Sequence, residues 1–174
     1  LESRGLGDVY KRQGYSVNKK IIVGPNKLTG EWGQNPIPGP MDEYEKSVKR
    51  HCGRVGAVEV FLSGPGLENY YEHITKTKIS SRDIVSLYRE NDLVAGEVMD
   101  VYFERIARSF STFVNILDPD VIVCGGGMSE IDEIYDEVPN RIIPYIASNF
   151  FLTPIVKATH GSSSGVRGAA YLWN

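Results

Sequence analysis

Apolar residues at Val94, Val98, Val101, Ile106, Phe110, Phe113, Val114 and Leu117 recur at spacings of three to five. This pattern predicts a long helix over about residues 92–117, buried along one stripe. Asp118-Pro119 stops it, because a residue preceding proline avoids the helical region. The run 121–124 is short and continuously apolar, as for a strand covered on both faces. A second helical stretch covers 129–150, where Pro139 and Pro144 break or kink it. A strand follows at 155–158, then a closing helix at 163–172 with small residues on one side.

The pattern is more broken towards the N-terminus. Tyr15, Val17, Ile21, Ile22 and Val23 flank Asn18-Lys19-Lys20, which predicts two short strands and a turn with Asn18 at positive φ. Residues 24–40 hold four Gly and four Pro and read as loop. Residues 41–49 are charged and predict a surface helix or an ordered excursion. Short helices are predicted at 58–62 and 67–74, separated by Ser63-Gly64-Pro65-Gly66. A further helix at 83–90 is capped by Ser80 or Ser81. Helix, strand, helix, strand and helix in the last eighty or so residues argue for a covered α/β sheet with parallel neighbours. Such sheets bind ligands beyond the carboxyl ends of their strands.

Composition narrows the classes. The chain has 174 residues, 41% of them hydrophobic, enough for one globular core or part of a two-domain protein. A formal charge of −3 gives no reason to expect a nucleic-acid partner. The basic group Lys46, Lys49, Arg50 and Arg54 is mixed with acids and reads as a solvated face. No apolar run approaches the length of a membrane helix, and no secretory leader is seen. Cys52 and Cys124 are too few for a disulfide framework, and a cytoplasmic location is expected. Ser3 to Gln13 reads SRGLGDVYKRQ and resembles one reading frame of a transposon-style sequencing-library adapter. Leu1 to Gln13 is therefore expected to be foreign to the protein, with Gly14 its first native residue.

Three segments carry candidate chemistry. In Gly30-Glu31-Trp32-Gly33-Gln34-Asn35-Pro36, a loop carboxylate between glycines can accept hydrogen bonds from sugar hydroxyls. Taken alone, a solvated loop glutamate is the plainer reading. In Cys52-Gly53-Arg54-Val55-Gly56-Ala57-Val58-Glu59, a lone cysteine precedes a tight turn and a glutamate at a helix start; a small core cysteine is the plainer reading. Strand 121–124 runs into Gly125-Gly126-Gly127, whose backbone N–H groups a nucleotide can approach closely. A plain strand-to-helix turn is the alternative.

Taken together and in this order, the segments resemble the ROK family. Gly30 to Pro36 resembles its sugar-binding GExGH segment, Cys52 to Glu59 its CxCGxxGCxE segment, and Asp118 to Gly127 its DPDxIVxGGG segment. The tail His160 to Ala170 is similar to that of bacterial fructokinases. The resemblance implies the C-terminal lobe of an actin-like, ribonuclease H-like sugar kinase fold over residues 14–174. It implies that Glu31, Gln34 and Glu59 bind the sugar and that Gly125, Gly126 and Gly127 line the nucleotide. Mg-ATP and a hexose, with fructose first, are the expected substrates, and a homodimer is expected by analogy.

Two departures from the family pattern qualify this. The phosphate loop DxGGT and the Asn-Asp catalytic base belong to the family's N-terminal half, and neither is in this chain. The chain by itself is therefore expected to be inactive, and Asn91-Asp92 reads as a helix cap. The family's zinc site takes one histidine and three cysteines, but the matching positions here hold Gln34, Arg50, Cys52 and Ala57. Only Cys52 remains a ligand, so no zinc is expected. A sugar-responsive ROK repressor and a degenerate, inactive homologue stay open as alternatives.

Overall fold

A computed structural model describes residues 14–50, 52–160 and 163. The expected foreign segment and nearly all of the expected closing helix lie outside the described residues.

Strands β1 (Ser16–Val17) and β2 (Lys20–Ile21) pair antiparallel. Asn18 and Lys19 between them both take positive φ, 51° and 63°, as a two-residue hairpin turn of matching twist requires. After a long loop come α1 (Glu43–Ser47), α2 (Val58–Leu62), α3 (Gly64–Thr75) and α4 (Ser81–Arg89). Ser63 ends α2 and caps α3, its hydroxyl accepting from Gly66 N–H. The expected break at 63–66 is instead the first turn of α3, where proline needs no amide partner. A Cβ on Gly66 would lie 2.2 Å from the carbonyl oxygen of Val60, so glycine lets α2 and α3 meet.

Helix α5 (Leu93–Leu117) is the axis of the core. Asp92 caps it by accepting from Ala95 N–H at 2.8 Å, and Asp118, left-handed at φ 43°, ends it. The expected single buried stripe is too narrow. Met99, Tyr102, Phe103, Arg105, Ala107, Ser109 and Ser111 are buried as well, because α2, α3, α4 and α6 (Ile134–Arg141) surround this helix.

Strands β3 (Ile122–Cys124) and β4 (Ile155–Lys157) pair in parallel, Ile122 opposite Ile155. They are not covered on both faces. Ile122 and Ile155 are buried, whereas Val123 is 60% exposed and Val156 38%. Alternation places successive side chains on opposite faces, and only one face meets the core. Between the strands, the expected long helix 129–150 is three pieces: a 3₁₀ turn Gly127–Glu130, α6 (Ile134–Arg141) and a 3₁₀ turn Ile143–Tyr145. Pro139 sits inside α6, and Pro144 falls in the following turn. No helix among the described residues is long and apolar enough to cross a membrane.

A buried ion network fixes the loop that leads to the site. Glu45 accepts from Arg105 Nε at 2.9 Å and from Arg108 Nη1 at 3.1 Å, and it is almost wholly buried. Arg105 lies 4.3 Å from the Tyr70 ring centroid, and Arg108 Nε donates to the Pro38 carbonyl at 2.8 Å. The loop 38–45 is thereby tied to α5.

Candidate sugar and nucleotide site

Three backbone segments converge at Glu59. The N–H of Val58 donates to Asn35 O (2.9 Å) and that of Ile37 to Gly56 O (2.7 Å), around an antiparallel bridge between Pro36 and Ala57. The N–H of Gly56 donates to Val48 O (3.1 Å) and that of Arg50 to Arg54 O (2.8 Å). Gly53 and Gly56 make these turns at φ 83° and 71°, where a side chain would be strained. Segments 34–37, 48–50 and 54–58 thus form one small folded unit.

Side chains from all three meet there. Gln34 Nε2 donates to Glu59 Oε2 at 3.0 Å, and Arg50 Nε donates to Glu59 Oε1. Arg50 Nη1 reaches Cys52 Sγ at 3.7 Å. The side chains of Arg50 and Glu59 are only 13% and 11% exposed, so this ion pair is largely withdrawn from water. Cys52 is exposed; its thiol is held below the ordinary value by a hydrogen bond from the Arg54 backbone, with partial desolvation opposing and Arg50 reinforcing. The plain core reading of Cys52 is therefore wrong. So is the solvated-face reading of Arg50, whose charge is directed at Glu59.

Of the sugar-site candidates, the structure brings Gln34 and Glu59 together. Glu31 opens the 3₁₀ turn Glu31–Gln34 but is exposed, and among the described residues its side chain bonds neither partner. Trp32 anchors that turn on α5, its ring 6.0 Å from Phe110 and 5.2 Å from Phe113. Arg50 and Trp32 are contributors that the residue pattern missed. The signal for Arg50 was its place at a family ligand position; for Trp32 it was an aromatic next to a loop carboxylate.

The residues present do not fit zinc. Gln34 and Arg50 spend donors on Glu59, Arg50 is a cation, and Ala57 has no donor atom and is buried. Among the described residues, no group of three His, Cys, Asp or Glu could hold a metal ion.

The glycine run lies at the carboxyl end of β3, and Gly125, Gly126 and Gly127 are all exposed. Gly126 has φ 88°, and its carbonyl accepts from Ser129 Oγ (2.7 Å) and Ser129 N–H (3.2 Å). Tyr135 donates its hydroxyl proton to Ser129 O at 2.8 Å, and its pKa is pushed up to about 12, mainly by burial. Lys157, closing β4, reaches Glu130 at 2.7 Å and Asp132 at 3.3 Å. A Cβ at Gly127 would meet nothing within 4 Å, so the backbone there is open.

A family model described as "ROK family" matches residues 4–174. The chain belongs to the ROK family. It is 36% identical over 157 residues to an N-acetyl-D-glucosamine kinase of Vibrio atlanticus (strain LGP32), covering 88% of this chain and 52% of that protein. A ROK glucokinase from Streptomyces griseus, solved with glucose and AMPPNP, superimposes with a TM-score of 0.77 at 19% identity, over 91% of this chain and 55% of that one. A ROK transcriptional regulator, a homologue of the E. coli MLC protein, gives 0.65 at 19%, over 83% and 38%. The fold is that of ROK sugar kinases, the actin-like ATPase fold, and this ROK chain spans about half the length of the curated relatives it matches. The relative named here is an N-acetylglucosamine kinase and not a fructokinase, so the tail's likeness to fructokinases gains no support.

Proposed function

We propose that the whole protein transfers the γ-phosphoryl of ATP to a hydroxyl of a sugar, with N-acetylglucosamine the first substrate to test and fructose the second. The observation that carries this is the Glu59 carboxylate, held at one oxygen by Gln34 and at the other by Arg50. A carboxylate has about four lone-pair sites, so two bonds leave acceptor capacity for sugar hydroxyls. Fixed by two donors, it is already oriented before the sugar arrives, which lowers the cost of binding. Glu31, on the same short turn as Gln34, supplies a second carboxylate on the sugar side.

Gly125 to Gly127 offer backbone N–H groups to the nucleotide. Gly127 needs no positive φ and has open space around it, which leaves room for a nucleotide to approach its backbone. ATP brings Mg²⁺ with it; no residue of this chain is assigned to the ion. The catalytic base and phosphate clamp are assigned to the other half of a relatives-length protein, because phosphoryl transfer depends on positioning and charge stabilisation from both sides. The N-acetylglucosamine preference rests on the 36% relative, and a homodimer is carried over by analogy alone.

A coupled ADP-release assay on the whole protein tests this with N-acetylglucosamine, fructose, glucose, mannose and N-acetylmannosamine. Turnover with at least one sugar, and none with the 174-residue chain alone, is expected. Silence with all five sugars rejects the kinase reading in favour of a sugar-responsive regulator or an inactive homologue.

A further inference from the structure

We infer that Arg50 is a positioning residue for sugar recognition, a guanidinium cross-link that does the bracing a metal ion would otherwise do in this unit; this rests on Glu59 binding sugar. Backbone hydrogen bonds join the unit's segments, and its outer turn is open to solvent. Segments 48–50 and 54–56 are joined by short backbone bonds around Gly53 and Gly56, and residues 52–55 are exposed. Against that, one side chain spans the unit: Arg50 Nε reaches Glu59 on α2 while Nη1 reaches Cys52 in the turn. Gln34, from the third segment, meets the same carboxylate.

A guanidinium suits this task. It is planar, remains charged throughout the working pH range, and presents donors in fixed directions, so two acceptors on different segments are held at once. A lysine ammonium could hold Glu59 but not define the second direction. The ion pair is mostly withdrawn from water, so screening weakens it little. Arg50 thus sets where the carboxylate of Glu59 points, and Gln34 sets its rotation.

The test uses the whole protein with whichever sugar turns over, comparing Arg50→Ala, Arg50→Lys and Glu59→Gln. Arg50→Ala should raise the sugar KM about tenfold or more while the ATP KM moves less than about twofold, since a charge-assisted bond of this kind is worth roughly that factor. Arg50→Lys should recover only part of the loss. Guanidinium ion at tens of millimolar, added to Arg50→Ala, should restore sugar use, which a general loss of folding would not allow. If Arg50→Ala and Arg50→Lys leave the sugar KM within about twofold while Glu59→Gln loses tenfold, the positioning role is wrong and the sugar site stands. If Glu59→Gln is also without effect, the sugar site itself is misassigned. Should Arg50→Ala not fold, Arg50→Lys with its intermediate KM carries the comparison.

Discussion

Gln34 Nε2 lies 3.0 Å from Glu59 Oε2, joining a 3₁₀ turn to a helix start 25 residues later in the chain. The glutamine donates one amide N–H to that carboxylate.

The role of that carboxylate is testable. Glu59→Gln in the whole protein should lower kcat/KM for the sugar about ten- to a hundredfold, because a hydrogen bond to a charged acceptor contributes roughly 1.5–3 kcal/mol. The ATP KM should stay within about twofold. An unchanged sugar kcat/KM would remove Glu59 from the site.

Two of the three exposed glycines, Gly126 and Gly127, should separate by role. Gly126→Ala forces a side chain into φ 88° and should destabilise by about 1 kcal/mol or more. Gly127→Ala meets open space and should change stability by less than about 0.5 kcal/mol. If the backbone there faces nucleotide, the same methyl should raise the ATP KM about fivefold or more. Denaturant midpoints and ATP titrations read both effects, and an unmoved ATP KM in Gly127→Ala would argue for a plain turn.

The buried carboxylate of Glu45 should be among the most sensitive positions in the chain. Glu45→Gln leaves Arg105 and Arg108 without their shared anion in a site almost closed to water. Breaking a buried pair on one side costs about 3–5 kcal/mol. Urea unfolding of the 174-residue chain measures it. A loss below about 1 kcal/mol would mean that water reaches the network.

The purified protein should carry far less than one zinc per chain after gel filtration, measured by elemental analysis. By the family resemblance, three of the four ligand positions hold Gln34, Arg50 and Ala57, which offer no thiolate or imidazole, and only Cys52 remains. Near-stoichiometric metal retained against a chelator would demand another ligand set, such as His51 with Cys52.

Arg89 pairs with Glu133 through two bonds of 2.6 and 2.9 Å and holds its carboxyl below the ordinary 4.5. A depressed folded-state pKa means that the pair stabilises above the ordinary glutamate range. The contribution then fades as pH falls through the folded value. Arg89→Ala should therefore cost about 0.5–1 kcal/mol near neutral pH, reduced by exposure, and less once the pH has fallen below the folded-state value of Glu133. An equal loss above and below that value would show that packing, not the charge pair, is at work.

The amino-acid sequence by itself determined the elements whose causes are local. The 3.6-residue recurrence from Val94 to Val114 marks α5, Asp92 caps it, and Asp118-Pro119 ends it, because hydrogen-bond caps and proline sterics act within a few residues. The short apolar runs at Ile122 and Ile155 and their parallel pairing followed from the same local patterns and from the intervening length of chain. The site candidates Gln34 and Glu59 were legible only as family positions, and nothing local told that their side chains bond each other. Tertiary structure decided the rest. The charge of Arg50 looks like one of several basic surface residues until backbone bridges bring segments 34–37 and 54–58 against it. Glu45 looks like a solvated helix glutamate until Arg105 and Arg108, sixty or more residues away, are folded onto it. Val123 and Ile122 belong to one apolar run, yet only Ile122 is buried, because which face of a short strand meets the core depends on partners that no local pattern encodes.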